Sequence, residues 1–161
     1  MFGTALAGQA RDLLDTARAK NIRIVTAESC TGGLIAGLLT EIPGSSDVVE
    51  RGFITYSNDA KQEMLGVPAE LLRKHGAVSE EVARAMAQGA LKHSRAQLAI
   101  AVTGIAGPGG GSKDKPAGLV YVAIADAGGT SAHEFRFGDI GRTEVRLSTV
   151  EEALLLLRAK L

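Results

Sequence analysis

The chain has 161 residues, and its 45% hydrophobic content is enough to build one sizeable core. Lys and Arg number 18 and Asp and Glu also number 18, so no net field draws the chain onto nucleic acid or an anionic membrane. The single cysteine, Cys30, excludes an internal disulfide, and no apolar run approaches the roughly 20 residues of a membrane-spanning helix. We therefore expect one domain over residues 1–161 in the cytoplasm, with no nucleic-acid or membrane partner.

The first half of the chain alternates between helix and strand patterns. Apolar residues recur at helical spacing in two stretches, and two runs of β-branched or aromatic residues have the length of strands. The predicted order is helix, strand, helix and strand, at residues 5–19, 22–27, 34–39 and 53–56. Asn58 is then the expected N-cap of a short helix that Gly66 and Pro68 end.

The second half begins with the clearest helix pattern. Ser79 precedes two glutamates, which is a favourable helix start, and apolar residues share one face as far as about His93. A buried strand, a glycine-rich loop, a hairpin with its turn at Gly128-Gly129 and a helix from Thr143 follow, with strands at 98–102, 119–125 and 132–137 and the loop at 104–118. Helices that alternate with mostly buried strands indicate an α/β fold, in which helices cover both faces of a mixed, mostly parallel sheet.

The segment from Thr26 to Gly33 places a serine hydroxyl between a strand end and a helix start. Free backbone amides there can hold an oxyanion or an anionic group, and Gly32 and Gly33 let a substrate approach the main chain. Ser29 is therefore a candidate nucleophile, and the alternative is an ordinary N-cap in a flexible turn. Cys30 is the rival nucleophile, since a helix N-terminus activates a thiol, unless it is simply a small buried residue.

A serine nucleophile needs a base, and no motif pairs Ser29 with any of the three histidines, of which His75 is expected in a loop. Lys61 is the better candidate because it lies in the first turn of the short helix, where the helix dipole disfavours an ammonium. Burial must supply the rest of the lowering of the Lys61 pKa that a base requires, and the alternative is a solvated surface lysine. Tyr56 could relay a proton or orient the pair, or simply pack with its hydroxyl in water.

Two further features could bind an anion. The loop that begins at Thr103-Gly104 and continues through Gly107 could hold a phosphate through its amides, although Ser112-Lys113 reverses the order that a P-loop needs. Arg142 and Arg146, four residues apart at a helix start, could bind a phosphate from one helix face. The alternatives are a mobile connection and two solvated arginines. No His, Cys, Asp or Glu cluster has metal-ligand spacing, so we expect no metal.

Four segments, in order along the chain, resemble the CinA carboxy-terminal domain family. They are AESCTGG at 27–33, RGFITYSN at 51–58, GAVS at 76–79 and TGIAGP at 103–108. The resemblance covers nearly the whole chain at compatible spacing, and it is closest to the stand-alone, PncC-like form without a molybdopterin-binding-like domain. One departure bears on the phosphate role of Arg142: Ile140-Gly141 separate it from Asp139, whereas relatives usually continue from Gly-Asp directly into an arginine.

The resemblance implies a three-layer α/β/α domain with a mixed sheet, no metal or organic cofactor, and a homo-oligomer. It also implies nicotinamide-nucleotide amidohydrolase activity, in which nicotinamide mononucleotide and water give nicotinate mononucleotide and ammonia. In this chain it places the catalytic serine on Ser29, with Tyr56 and Lys61 as assisting residues.

The resulting hypothesis is a Ser-Lys mechanism. Neutral Lys61 takes the proton of Ser29, whose oxygen attacks the carboxamide while loop amides hold the oxyanion. The main alternative is a nucleotide-binding regulatory module without turnover, and a third is a structural or interaction protein. The expected substrate-binding residues are Thr31, Gly32, Gly33, Thr103, Gly104, Gly107, Arg142 and Arg146.

Overall fold

A computed structural model describes residues 2–161, in which six α-helices surround five strands. The helices are α1 (Thr4–Ala19), α2 (Leu34–Glu41), α3 (Asn58–Leu65), α4 (Ala69–His75), α5 (Glu80–Lys92) and α6 (Arg142–Lys160). The strands are β1 (Ile24–Glu28), β2 (Val49–Ile54), β3 (Leu98–Gly104), β4 (Leu119–Asp126) and β5 (Gly129–Arg136). A 3-10 turn, Ser45–Asp47, leads into β2.

The strands form one mixed sheet in the order β2-β1-β3-β4-β5. β1 lies between β2 and β3 and is parallel to both, whereas β4 is antiparallel to β3 and to β5. The predicted α/β fold with a mixed sheet is confirmed, with as many antiparallel pairings as parallel ones. Because the three parallel strands end at one edge, the residues at and beyond their ends come together there.

Helices cover both faces of the sheet because successive strand residues point to opposite sides. In β3, Ile100 and its same-face neighbours pack with α1, α2 and α6 in one buried apolar cluster. Ala99 and Ala101 face the other way and pack with α4, α5 and the end of α3. α3 and α5 touch at Gly89, where a Cβ atom would collide with the carbonyl oxygen of Leu65. The site residues on α3 therefore approach the sheet edge from the face opposite to α2 and α6.

Two sequence expectations about the α3 and α4 region are wrong. Ser57, rather than Asn58, caps α3, because Ser57 Oγ accepts a hydrogen bond from Ala60 N and Asn58 is already helical. His75, expected in a loop, is the last residue of α4, which the sequence analysis did not predict. With 7 residues, α4 is too short to show an apolar period, although its last turn carries the basic residues that favour a helix C-terminus.

The other predicted elements are present with shifted ends. β2 ends at Ile54, two residues before Tyr56, and α6 begins at Arg142. The hairpin turn consists of residues 127 and 128, because Asp126 pairs with Gly129 across the ends of β4 and β5. None of the helices formed by residues 2–161 has the length and apolar character needed to span a bilayer.

Candidate functional site

Ser29 is the first residue after β1, at the edge where the parallel strands end. Its amide donates to Val102 O of β3 at 3.1 Å, which fixes the main chain at the serine. Gly32 N donates to Ser29 O at 3.0 Å, and Gly32 and Gly33 have φ of 58° and 99°, which glycine adopts at low cost. We call residues 29–33 the serine loop. It turns the chain tightly from β1 into α2.

Lys61 reaches Ser29 from α3. It is 1% exposed, and its Nζ lies 3.0 Å from Ser29 Oγ and 2.8 Å from Thr55 O. Thr55 is fixed in turn, because its amide donates to Glu28 O at 2.9 Å and so keeps the end of β2 paired with the end of β1. The structure therefore brings together the two residues that the sequence analysis named as nucleophile and base.

The surroundings of Lys61 favour its neutral amine. Burial lowers the pKa of Lys61 below its usual value, because the charged form loses its hydration. Within residues 2–161 no carboxylate forms a salt bridge with it. Thr55 O can only accept an N–H, so the lone pair of a neutral Nζ is left to accept the Ser29 proton. The pair has the geometry of a hydroxyl and its general base.

Cys30, the rival nucleophile, is chemically disfavoured. Its side chain is buried, and burial raises the pKa of the thiol to about 12. The lost hydration outweighs any lowering by the adjacent helix N-terminus. Because the thiolate is the reactive form, Cys30 is a poor nucleophile at neutral pH, and the structure favours Ser29.

Glu28 is a fully buried carboxylate that the sequence analysis did not single out. Its Oε2 accepts from the amides of Gly33 and Ile35 at 3.1 and 3.0 Å, and its Oε1 accepts from Ala36 N at 2.8 Å. These amides at the start of α2 were expected to be free for an oxyanion or an anionic group. That expectation is wrong, because the chain's own carboxylate occupies the helix N-terminus. The available signal was a glutamate ending an otherwise apolar strand.

Two amides of the serine loop donate to no other residue of the described chain, and one of them, Cys30 N, donates only to its own thiol. Gly32 N donates to Ser29 O and Gly33 N donates to Glu28, whereas in the described residues 2–161 Cys30 N and Thr31 N donate to no other residue. Thr31 is fully buried, so its amide is out of reach of a substrate. Cys30 lines the cleft beside Ser29. Its amide is therefore the loop donor available to an oxyanion.

Ser29 and Lys61 lie in a cleft of about 240 Å³ at the ends of the parallel strands. Side chains and backbone from the β2–α3 connection, the segment before α5, the end of β3 and α6 complete it. The further lining residues are Cys30, Tyr56, Asn58, Ala77, Val78, Thr103, Gly104, Ala106 and Arg142.

Tyr56 and Arg142 form the rim of this cleft. Tyr56 is 61% exposed, and its hydroxyl accepts a hydrogen bond from Arg142 Nη2 at 2.9 Å. Arg142 Nη1 donates to Gly107 O at 3.0 Å. Arg142 thus reaches the cleft despite the two extra residues before it. The Tyr56 hydroxyl is linked to this guanidinium rather than to Ser29 or Lys61.

Arg146 lies behind the serine loop, away from the cleft. Its Nε donates to Cys30 O at 3.1 Å and its Nη2 donates to Thr31 O at 2.9 Å. The residue is half-buried and is not part of the cleft lining. The two arginines, expected to act together, therefore have different surroundings.

The glycine-rich loop is divided between two places. At its start, Thr103 and Gly104 line the cleft, and Thr103 Oγ1 donates to Ala77 O at 2.8 Å. From Gly109 onward the loop borders a separate cavity of about 460 Å³ that also contains Arg136 and Asp139. The greater part of the glycine-rich segment therefore does not face Ser29.

The histidines take no part in the cleft. His93 Nδ1 lies 2.8 Å from Gly89 O, and His75 Nδ1 lies 3.4 Å from Glu81 Oε1. Over residues 2–161, no three His, Cys, Asp or Glu side chains are grouped closely enough to share a metal ion.

Known proteins resemble the chain in sequence over most of its length. Residues 7–161 match the family described as the CinA C-terminal domain. A putative competence-damage inducible protein from Caldicellulosiruptor bescii is 54% identical over 143 residues, which are 88% of this chain and 34% of that protein. A CinA-like protein from Geobacter sulfurreducens is 48% identical over 165 residues, 99% of this chain and 40% of that protein. The chain thus spans well under half the length of these relatives.

Solved structures share the same fold. The crystal structure of the competence/damage inducible protein CihA from Agrobacterium tumefaciens has a TM-score of 0.97 and 56% identity, and the match covers 99% of this chain and 97% of that one. The competence damage-inducible protein A from Klebsiella pneumoniae has a TM-score of 0.92 and 35% identity, with 96% of each chain covered. Together with the sequence match over residues 7–161, these likenesses show that the chain belongs to the CinA C-terminal domain family.

Proposed function

We propose that this domain is a nicotinamide-nucleotide amidohydrolase, which hydrolyses nicotinamide mononucleotide to nicotinate mononucleotide and ammonia. The observation that carries the proposal is the buried pair in the cleft, with Lys61 Nζ 3.0 Å from Ser29 Oγ. A serine hydroxyl that faces a neutral amine is an arrangement suited to acyl transfer. The choice of this carboxamide substrate rests on the resemblance of the motifs around Ser29, Tyr56 and Thr103.

In the first half of the reaction, Ser29 Oγ attacks the carboxamide carbon and its proton passes to Lys61 Nζ. The carbonyl oxygen becomes an oxyanion, and the Cys30 amide is placed to donate to it. The C–N bond then breaks, and the leaving nitrogen takes the proton from Lys61 and departs as ammonia. The product of this half is an ester between Ser29 and the nicotinate group.

In the second half, water replaces ammonia. Lys61, again neutral, takes a proton from the water while the water oxygen attacks the ester carbon. The bond to Ser29 Oγ breaks, and the serine oxygen recovers a proton from Lys61. Nicotinate mononucleotide leaves, and no metal or redox partner is needed for either half.

The ribose phosphate is proposed to lie at the rim of the cleft. The cleft is smaller than the about 300–1,000 Å³ of most ligand pockets, so a nucleotide would extend past the rim, where Arg142 presents a guanidinium beside Gly107. Arg142→Gln is expected to raise KM for nicotinamide mononucleotide about tenfold, the loss of roughly 1.4 kcal/mol of binding, with a smaller change in kcat.

The direct test measures ammonia release from nicotinamide mononucleotide by wild type, Ser29→Ala and Cys30→Ala. Ser29→Ala removes the nucleophile and is expected to lower kcat by about 10⁴-fold or more. Cys30→Ala is the matched control, because it changes the neighbouring residue and leaves the Ser29–Lys61 pair in place. Circular dichroism would verify that each variant is folded.

Activity kept in Cys30→Ala and lost in Ser29→Ala would support the serine mechanism. A folded wild type that binds nicotinamide mononucleotide without releasing ammonia would instead support the alternative of a nucleotide-binding regulatory module. Loss of activity in Cys30→Ala alone would make the thiol the nucleophile.

A further inference from the structure

Arg146 lies behind the serine loop, and the phosphate role expected from its sequence position does not explain its contacts. We propose that Arg146 is a positioning residue, which orients and polarises the Cys30 amide that receives the oxyanion. The proposal rests on acyl transfer at Ser29. It concerns how the loop presents its donor rather than which substrate is used.

The contacts form a short chain of hydrogen bonds that runs from the guanidinium to the cleft. Arg146 Nη2 donates to Thr31 O at 2.9 Å. The same peptide unit carries Gly32 N, which donates to Ser29 O at 3.0 Å. Ser29 O belongs to the peptide unit that carries Cys30 N, and Cys30 N donates to no other residue of the described part of the chain and only to its own thiol.

Peptide geometry gives this series of hydrogen bonds, which we call the relay, a direction from Arg146 to Cys30 N. The cis peptide bond of residues 2–161 is Gly107-Pro108, so the bonds of the serine loop are trans, with C=O and N–H pointing in opposite directions. Holding Thr31 O therefore directs Gly32 N–H away from Arg146, and holding Ser29 O directs Cys30 N–H away from Gly32. Cys30 lies beside Ser29 in the cleft lining, at the end of the relay.

A cation at the start of this relay also has an electrostatic effect. Hydrogen-bonded peptide dipoles in a low-dielectric interior polarise one another, and a charged donor strengthens the first bond. The positive charge of Arg146 is thus transmitted as a stronger partial charge on the final N–H. The second bond of Arg146, from Nε to Cys30 O at 3.1 Å, fixes the peptide on the other side of Cys30.

Glu28 has the opposite charge to Arg146 and binds the main-chain amides, whereas Arg146 binds the main-chain carbonyls. Its carboxylate takes the amides of Gly33, Ile35 and Ala36, so the α2 N-terminus does not compete for an anion. Arg146 meanwhile takes carbonyls of the same loop. The donor that remains beside Ser29 is the Cys30 amide, which is bound by no other residue of the described chain and whose own thiol is a weak acceptor that an oxyanion can replace.

The test uses Arg146→Ala and Arg146→Lys, with Arg158→Met as the matched control on the exposed face of the same helix. Two rates are measured for each protein: kcat for nicotinamide mononucleotide, and the labelling of Ser29 by diisopropyl fluorophosphate, followed by mass spectrometry. In the labelling step Ser29 Oγ bonds to phosphorus, its proton passes to Lys61 and fluoride leaves. The reagent carries no anionic phosphate, but its P=O oxygen needs the same donor.

Arg146→Ala is expected to lower kcat and the labelling rate by a similar factor, about 10²-fold, as for loss of one oxyanion donor. KM should change less than about twofold, since no contact to substrate is lost. Arg146→Lys, which keeps the charge but has no planar fork, should recover part of both rates. Millimolar guanidinium should also raise kcat of Arg146→Ala and leave Arg158→Met unchanged.

A rise in KM with unchanged labelling would overturn the proposal, because it would place Arg146 on the substrate phosphate. Unchanged kcat and labelling in a folded Arg146→Ala, or in Arg146→Lys if the alanine variant does not fold, would also overturn it. If wild type releases no ammonia but Ser29 is labelled more slowly in Arg146→Ala than in wild type, the positioning role is supported and only the proposed substrate is rejected. The two proposals can therefore fail separately.

Discussion

The serine loop and the glycine-rich loop after β3 both contain adjacent glycines, and both were expected to bind an anion, yet their surroundings differ. In the serine loop, Glu28 and Arg146 take main-chain donors and acceptors from two sides. In the later loop, residues 108–114 are all exposed. A loop is held in one conformation where charged side chains of neighbouring elements satisfy its peptide groups, and glycine content alone does not indicate this.

This difference has a consequence for catalysis. A donor that is fixed before substrate binds needs no reorganisation when charge develops, whereas an exposed loop must first be ordered. We therefore expect substitutions around the serine loop to change kcat, and substitutions in the exposed loop to have little effect on kcat.

The largest expected effect comes from the base that faces the serine loop. Lys61→Met keeps most of the side-chain volume but removes the group that accepts the Ser29 proton. We expect kcat to fall by about 10³-fold or more, the upper range for loss of a general base. The exposed Lys92→Met is the control and should retain wild-type kcat. A folded Lys61→Met with substantial activity would reject Lys61 as the base.

The pH dependence should show the same residue. The proposed base is the neutral amine of Lys61, so activity is expected to fall about tenfold per pH unit below the pKa of Lys61. Burial places that pKa below the usual value for a lysine. The measurement is kcat against pH for wild type, with Ser29 labelling against pH as a substrate-independent check.

The stability of the protein should also depend on pH, in the direction set by the lowered pKa of Lys61. The folded pKa of Lys61 lies below its unfolded value, so between the two values the unfolded chain binds the extra proton. The free energy of unfolding of wild type relative to Lys61→Met should therefore rise with pH through that window. A difference that is constant with pH would indicate an unperturbed lysine.

Glu28→Gln is the next largest change, and it acts on stability. The amide side chain keeps the shape but replaces one acceptor oxygen and removes the charge that caps α2. We expect a loss of about 2 kcal/mol or more, the value of one or more hydrogen bonds to a charged group, measured by urea unfolding. Glu41→Gln, exposed near the end of the same helix, should change stability by less than about 0.5 kcal/mol. Equal effects of the two substitutions would contradict the capping role.

The sequence predicted the sheet, the helices on both faces and the Ser29–Lys61 pair, because strong patterns or motifs mark them. It did not predict the roles of Glu28 and Thr55. Both depend on how the ends of β1 and β2 lie relative to α2 and α3. The alternation of side chains along a strand predicts such a contact only when the helix on each face of the sheet is known. Arg146 illustrates the same limit: four-residue spacing placed it beside Arg142, but its side chain turns toward the loop behind the cleft.

The smallest predicted effect compares the two loops directly, with one glycine from each. Gly32 and Gly109 have φ of 58° and 69°, so alanine at either position pays a similar cost of about 1–2 kcal/mol for a left-handed conformation. Around Gly109 a Cβ atom meets nothing within 4 Å, whereas at Gly32 it stands 3.4 Å from Arg146 Nη2. Backbone strain is therefore matched and the position relative to the relay is not.

We expect the two alanine variants to lose similar stability in thermal unfolding but to differ in kcat. Gly32→Ala should lower kcat about tenfold, a fraction of the roughly 10²-fold that a misplacement of 1 Å can cost, because Gly32 N is the middle link between Arg146 and the Cys30 amide. Gly109→Ala should stay within about twofold of wild type. Equal kcat values at equal loss of stability would mean that the conformation of the serine loop does not limit the reaction, and Arg146 would then act only in folding.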